Sequence, residues 1–401
     1  MSQSDCEMPM SDSVTTNVFP LVGLRPVANL HHEWVAVTLQ FPHDAGAALA
    51  SIGAVLGPTQ AFAALAPLDL IIPVDDPRAI GAGLLERLPP HRVIFCIPAA
   101  MCADKAVQDR CQQLVEAGYR LLLDGLAGAN AGKVGARALT FDCATSVPPL
   151  LHLMALPGPH LARHVGSPAQ LQVCREVGFT WFAGDYAVQM PTAAVTGEDG
   201  TSRKRLLALL GLLARDADSR ELEVLLKQDP ALSFHLLKLV NSAAFALSKP
   251  ITNFGQAINV LGRRQLQRWL QLLLYARQQL DGAANPLLPL AAVRAAQMET
   301  LCQLNGGDRD AQDMAFMVGV FSLLDVLLGM PMAEILGALH LHDDVSAALL
   351  ERGGALGHSL AMVAASEVDP AIVAEAGIDA ELYWRSLLPA YEWAIQVSRN
   401  V

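Results

Sequence analysis

A chain of 401 residues, 52% hydrophobic and only 17% charged, can bury large cores, which excludes a disordered protein and suggests two domains. Its formal net charge of −11 argues against a general nucleic-acid binder, because affinity for phosphate backbones comes mainly from clustered Lys and Arg. No apolar run free of charges and turn signals is long enough to cross a bilayer, so no membrane partner is expected.

The first residues, 1–16, are polar and patternless and are expected to be disordered. They lack the basic start and apolar core of a signal peptide. Over 17–191 short β-rich runs alternate with helical ones. The expected strands are Val18–Leu24, Trp34–Phe41, Leu68–Val74, Val93–Ile97, Tyr119–Leu123, Ala138–Phe141, Leu161–Val165 and Phe179–Phe182. Helical segments such as Met101–Ala117 and Pro168–Val177 lie between them. Such alternation implies a parallel sheet, and about eight strands imply a small closed (β/α) TIM-like barrel. Residues 192–203 carry no periodic apolar positions and two glycines, and read as a linker.

Everything in 204–401 is helical in pattern. Expected helices are Lys204–Arg215, Arg220–Gln228, Arg263–Leu280, Leu288–Leu304, Asp310–Leu328, Met332–His340, Val345–Glu351 and Asp379–Gln396. A helical pair organises this half. Asp229 and Pro230 read as an N-cap and first-turn pair, and Leu232, Leu236, Leu239, Val240 and Ala243 make one apolar stripe. Ser248, Lys249 and Pro250 break that helix. Asn253 and Gln256 start the next, which Gly262 closes. Two short helices bury their stripes only against further helices, so an all-helical domain should grow around them. The seven cysteines include no C-x-x-C and fit reduced thiols, so a cytoplasmic protein is expected.

The order Asp229-Pro230-x-Leu232-Ser233, then Leu239 to Ala243, then Ala257-Ile258-x-x-Leu261-Gly262 resembles the signature of the HDOD domain. That resemblance implies a helical relative of the HD phosphohydrolases, generally without their metal site, in a bacterial signalling protein. The first half resembles the EAL domain, whose active form is a cyclic di-GMP phosphodiesterase. The resemblance rests on the run from Gly118 to Asp124, on Leu139 to Asp142, and on Gly178-Phe179 followed by Gly184-Asp185-Tyr186 and Pro191. It implies a degenerate EAL-like barrel. The family's glutamate falls at Val37, its asparagine near Pro73 and its next glutamate at Cys96. Asp124 keeps the first of two paired aspartates and Gly125 replaces the second. Thr140 takes the lysine position, Arg163 and Gly166 the last glutamates, and Ala183 a glutamine.

Two metals that clamp attacking and leaving oxygens need several carboxylates at strand ends. Asp124 and Asp142 alone do not supply them, so no catalytic residue, cofactor or metal is expected and the chain reads as no enzyme. Arg25 and Arg163 offer charges to a phosphate, yet cyclic di-GMP is not an expected partner. The alternatives are a cyclic di-GMP receptor or a residual phosphodiesterase. In the helical half, His342-Asp343 is the one literal His-Asp pair, and Asp343 or Asp344 reads as a cap for the following helix. Asn241 and Ser242 interrupt an apolar helix, either to fasten the following turn or to meet a partner. Arg263, Arg264 and Arg268 are either a solvated helix face or a docking patch for an acidic partner. The leading expectation is a non-catalytic signalling protein that works by binding other signalling proteins, with self-association left open. The family resemblance implies roles in virulence, motility or biofilm control.

Overall fold

The structure is a computed structural model and describes residues 19–42, 52–53, 55–56, 60–189 except 127 and 129, scattered positions between 208 and 256, and 262–400 except 274, 276–283 and 340. The expected disordered segment 1–16, the linker 192–203 and most of the helical pair 229–262 lie outside the described residues.

Eight strands close a barrel in sequence order. They are β1 (Gly23–Ala28), β2 (Trp34–Gln40), β3 (Asp69–Pro73), β4 (Val93–Pro98), β5 (Arg120–Asp124), β6 (Ala138–Asp142), β7 (Leu161–Arg163) and β8 (Trp181–Phe182). All but the first lie where the sequence places them. The apolar run from Val18 draws the expectation too early, and β1 instead carries Pro26 in its middle. β1 touches β8 only through Ala28 and Phe182, so a residue without an N–H costs no ladder bond on that side.

β1 also departs from the parallel rule. It runs antiparallel to both β2 and β8, while every other pair is parallel. Only five residues join β1 to β2, too few for a parallel crossover. Asn29 Oδ1 accepts from the His31 and Glu33 N–H groups at 2.8 and 3.1 Å and folds that turn.

Alternation along the strands decides which side chains enter the barrel. On β4, Ile94 and Cys96 belong to the inner core, whereas Val93, Phe95 and Ile97 pack outward against the helices. Val27, Ala36, Ile71, Leu122, Ala138, Leu161 and Ala183 complete the inner layer. A step of two residues toward the open end of each strand therefore brings Arg25, Thr38, Pro73, Asp124, Thr140 and Arg163 inward. One placement changes as a result. Val37 is fully buried in the outer core, and Thr38 takes the mouth position, because a one-residue slip turns a side chain to the opposite face.

The barrel carries α1 (Gln60–Ala64), α2 (Lys105–Glu116) and α3 (Pro168–Val177). The helical half contains α4 (Arg263–Leu273), α5 (Leu287–Leu304), α6 (Arg309–Phe321), α7 (Leu324–Leu328), α8 (Met332–Leu339), α9 (Asp343–Glu351), α10 (Gly354–Ala364), α11 (Pro370–Glu375) and α12 (Ala380–Asn400). The single helix expected over Asp310–Leu328 is two, since the chain leaves helical geometry at Leu323. α5 packs between α6 and α12. Any side chain at Gly319 of α6 would meet Ala295 Cα of α5 at 2.5 Å, so only glycine allows that approach. α10 and α11 are absent from the sequence expectations. The glycines at 353, 354 and 357 hide the start of α10, and α11 is only six residues long.

α12 returns to the barrel. Tyr391 stacks on Trp34 at 5.5 Å between ring centroids, and its buried hydroxyl donates to the Leu24 carbonyl at 2.6 Å. One continuous core of buried residues runs through the outer layer of the barrel and the helical half. Among the described residues, no helix is long and apolar enough to cross a membrane.

Candidate functional site at the barrel mouth

The open strand ends carry charged side chains that pair with one another. Asp124 at the end of β5 accepts from Arg163 at the end of β7. Asp142, at the end of β6, lies 3.0 Å from His164 Nδ1. Burial pushes the Asp142 carboxyl up, but the Ala144 N–H, the His164 ring and the Arg163 charge outweigh it and hold it below the usual carboxylate range. Cys96, inside the mouth, is pushed up to about 12 by burial and stays a neutral thiol. The Thr140 hydroxyl is fully buried there without a hydrogen-bond partner. A small cavity of about 70 Å³ lies among these strand ends.

Above it opens a groove of about 740 Å³, one wall of which comes from the other half of the molecule. Residues 365–369, between α10 and α11, cross the top of the barrel beside Arg25, Gln40, Arg163 and His164. Arg25 donates to Asp185 at 2.9 Å and to the Ser366 carbonyl, and the Ser366 hydroxyl donates to the same aspartate. His164 Nε2 lies 3.5 Å from Glu367 Oε1, so this ring stands between a barrel carboxylate and a helical-half carboxylate. His164 adopts a left-handed φ of 54°, rare for a residue with a side chain. Arg25, read as a free charge for a phosphate, is thus already engaged. Ser366 and Glu367 belong to no motif in the sequence. The only local signal is Asp369-Pro370, an N-cap and first-turn pair that starts α11 and says nothing about the barrel.

The helical-half candidates separate. Asn241 makes a reciprocal pair with the Ile251 backbone, donating to its carbonyl at 2.7 Å and accepting from its N–H at 2.6 Å. Its amide fastens the turn that follows. Arg264 Nε binds Asp313 at 2.5 Å, and Arg268 pairs with both Glu299 and Asp313 and lies over the Phe316 ring. These two arginines join α4 to α5 and α6. The side chains of Ser242 and Arg263 lie outside the described residues. The expected cap at Asp343 or Asp344 is corrected, since both sit inside the first turn of α9 and the His342 ring accepts from the Asp344 N–H. His342 precedes the first helical residue, which is where a capping acceptor must stand.

Asp124 and Asp142 are each taken by a basic side chain, and among the described residues no three His, Cys, Asp or Glu side chains come together as ligands.

The molecule thus joins a closed eight-stranded barrel to a helical half, and residues 204–321 form an HDOD domain by their match to that family. Among curated proteins, cyclic di-GMP phosphodiesterase CdgJ of Vibrio cholerae is 28% identical over 250 residues, which cover 60% of this chain and 56% of that protein. The uncharacterized protein YuxH of Bacillus subtilis is 29% identical over 194 residues, 47% of this chain and 46% of that protein. The chain therefore spans about half the length of the curated relatives it matches. Solved structures include the FimX EAL domain from Pseudomonas aeruginosa bound to c-di-GMP, with TM-score 0.33 and 17% identity over 43% of this chain and 90% of that one. A Klebsiella pneumoniae BlrP1 manganese/cy-diGMP complex gives TM-score 0.32 and 15% identity over 42% and 55%. The relationship to CdgJ corrects the expectation that the chain is no enzyme.

Proposed function

We propose that the chain is a cytoplasmic bacterial signal-transduction protein linked to cyclic di-GMP, which acts by protein–protein interaction through its HDOD half. The observation that carries this reading is the HDOD match over 204–321 in a chain whose relative is named for cyclic di-GMP. The candidate contact residues are Ser242 and Arg263, because Arg264 and Arg268 are spent on Glu299 and Asp313 and the Asn241 amide on Ile251. Capture of partners from the native host by the wild type, by Arg263→Glu and by Ser242→Leu tests it. Loss of one captured protein in either variant, with melting temperature retained, supports the reading. Equal capture by all three would remove these residues from consideration.

A second reading is recognition of cyclic di-GMP at the barrel mouth, favoured by the name of the Vibrio cholerae relative. Calorimetric titration with cyclic di-GMP, followed by a turnover assay with added divalent metal, tests it. Absence of binding heat sinks this reading, and turnover makes the chain a phosphodiesterase.

A further inference from the structure

The groove over the strand ends is not a property of the barrel alone. Its barrel side presents Arg163 and His164 together with Thr38 and Gln40, and its other side presents Glu367 from the helical half. Ser366 is tied down through Arg25 and Asp185, and Val368 packs against Gly23 of β1. A ligand seated here meets the Arg163 guanidinium and the His164 imidazole on one wall, exposed pairs of Asp124 and Asp142 that can exchange partners, and the Glu367 carboxylate, 3.5 Å from His164, on the other. That polarity suits a phosphorylated nucleotide, whose phosphate takes the basic wall and whose base N–H donors take the carboxylate.

We propose that this groove is a composite nucleotide site completed by the helical half, so that occupancy and docking of the 366–369 segment favour each other. The proposal rests on the second reading above, that the mouth meets cyclic di-GMP, and adds that the barrel by itself is an incomplete site. A ligand that contacts both walls binds the docked form better, and by linkage it must stabilise docking by the same factor. The HDOD half thereby senses the barrel's ligand through Ser366 and Glu367.

A reversible lock tests the coupling. A Cβ added at Gly23 would lie 3.1 Å from Val368 Cβ, shorter than the about 3.5–4.5 Å found in disulfides, so the exposed 366–369 segment must move outward by a few tenths of an ångström to bring the pair into range. The full chain carrying Gly23→Cys and Val368→Cys is titrated with cyclic di-GMP in its oxidised and reduced forms, with inorganic phosphate as the second probe. The expected result is binding roughly tenfold tighter in the oxidised form, lost on reduction. Phosphate alone should show a smaller preference in the same direction. Equal cyclic di-GMP affinity in both forms overturns the composite site while leaving a barrel-only site standing. Absence of binding in either form, and in the wild type, overturns the reading on which it rests as well. Should the cysteine pair fail to fold or to cross-link, Glu367→Gln decides. Several-fold weaker cyclic di-GMP binding with unchanged circular dichroism supports the composite site, and unchanged affinity overturns it.

Discussion

The barrel mouth and the α4–α6 junction use the same chemistry for different ends. Each holds arginines against carboxylates. At the junction, Arg264 and Arg268 meet Glu299 and Asp313 on neighbouring helices, with side chains only 16% and 18% exposed for Arg268 and Glu299. At the mouth, Asp124, Asp142, Arg163 and His164 sit at strand ends under open solvent, and Arg25 and His164 reach across to the other half. Burial separates the two cases. A charge pair removed from water is costly to break, whereas an exposed pair is screened and free to exchange partners. The junction is therefore a structural staple, and the mouth is where charge stays available to something else.

The sharpest way to break this contrast is Arg268→Met. It strands Glu299 among helices and should cost about 3 kcal/mol in urea-unfolding free energy. The double variant Arg268→Met with Glu299→Leu should recover much of that loss, because two matched apolar groups leave no buried charge. If the single variant unfolds like the wild type, the junction is no staple. Tyr391→Phe tests the seam between the halves. It leaves the buried Leu24 carbonyl without its donor and should cost about 1–2 kcal/mol. Glu367→Gln, on the exposed 366–369 segment, should shift stability by no more than about 0.5 kcal/mol. A larger loss would make that segment a structural tie.

The finest test is the sign of a pH effect. Burial pushes the Glu299 carboxyl up, beyond what Arg268 and Arg264 pull down. The folded state then holds that proton more tightly than the unfolded chain does, so stability declines as pH rises from the ordinary glutamate range through the raised value. Asp142 is held low, so its contribution is complete above the ordinary aspartate range and is lost as pH falls through the depressed value. Urea midpoints measured against pH should show Glu299→Gln flattening the first slope and Asp142→Asn flattening the second. Effects of the same sign at both positions would erase the distinction.

Legibility in the sequence followed the range of the forces involved. β2 to β8 and helices such as α3 and α5 were readable, since period-two and period-3.6 apolar patterns and N-caps act within a dozen residues. The turn fastened by Asn241 was readable for the same reason, as a polar side chain in an apolar helix needs a nearby backbone partner. At the mouth, Thr38 and not Val37 faces inward, because strand parity is fixed by pairing with neighbours and not by composition. The antiparallel β1 follows from a five-residue turn that only the closed barrel makes meaningful.

Composition and periodicity suffice to order a barrel before a helical domain, to locate most strands and helices, and to put Asp124 and Asp142 at strand ends. Which charges are spent and which remain available depends on packing between distant elements. Arg264 and Arg268 look like a cationic patch until Glu299 and Asp313 arrive from two other helices. Ser366 and Glu367 look like loop residues until the chain brings them more than 180 positions back onto Asp185 and His164. Partners so distant leave no periodic trace in the chain, because contacts of that separation are set by how whole elements pack.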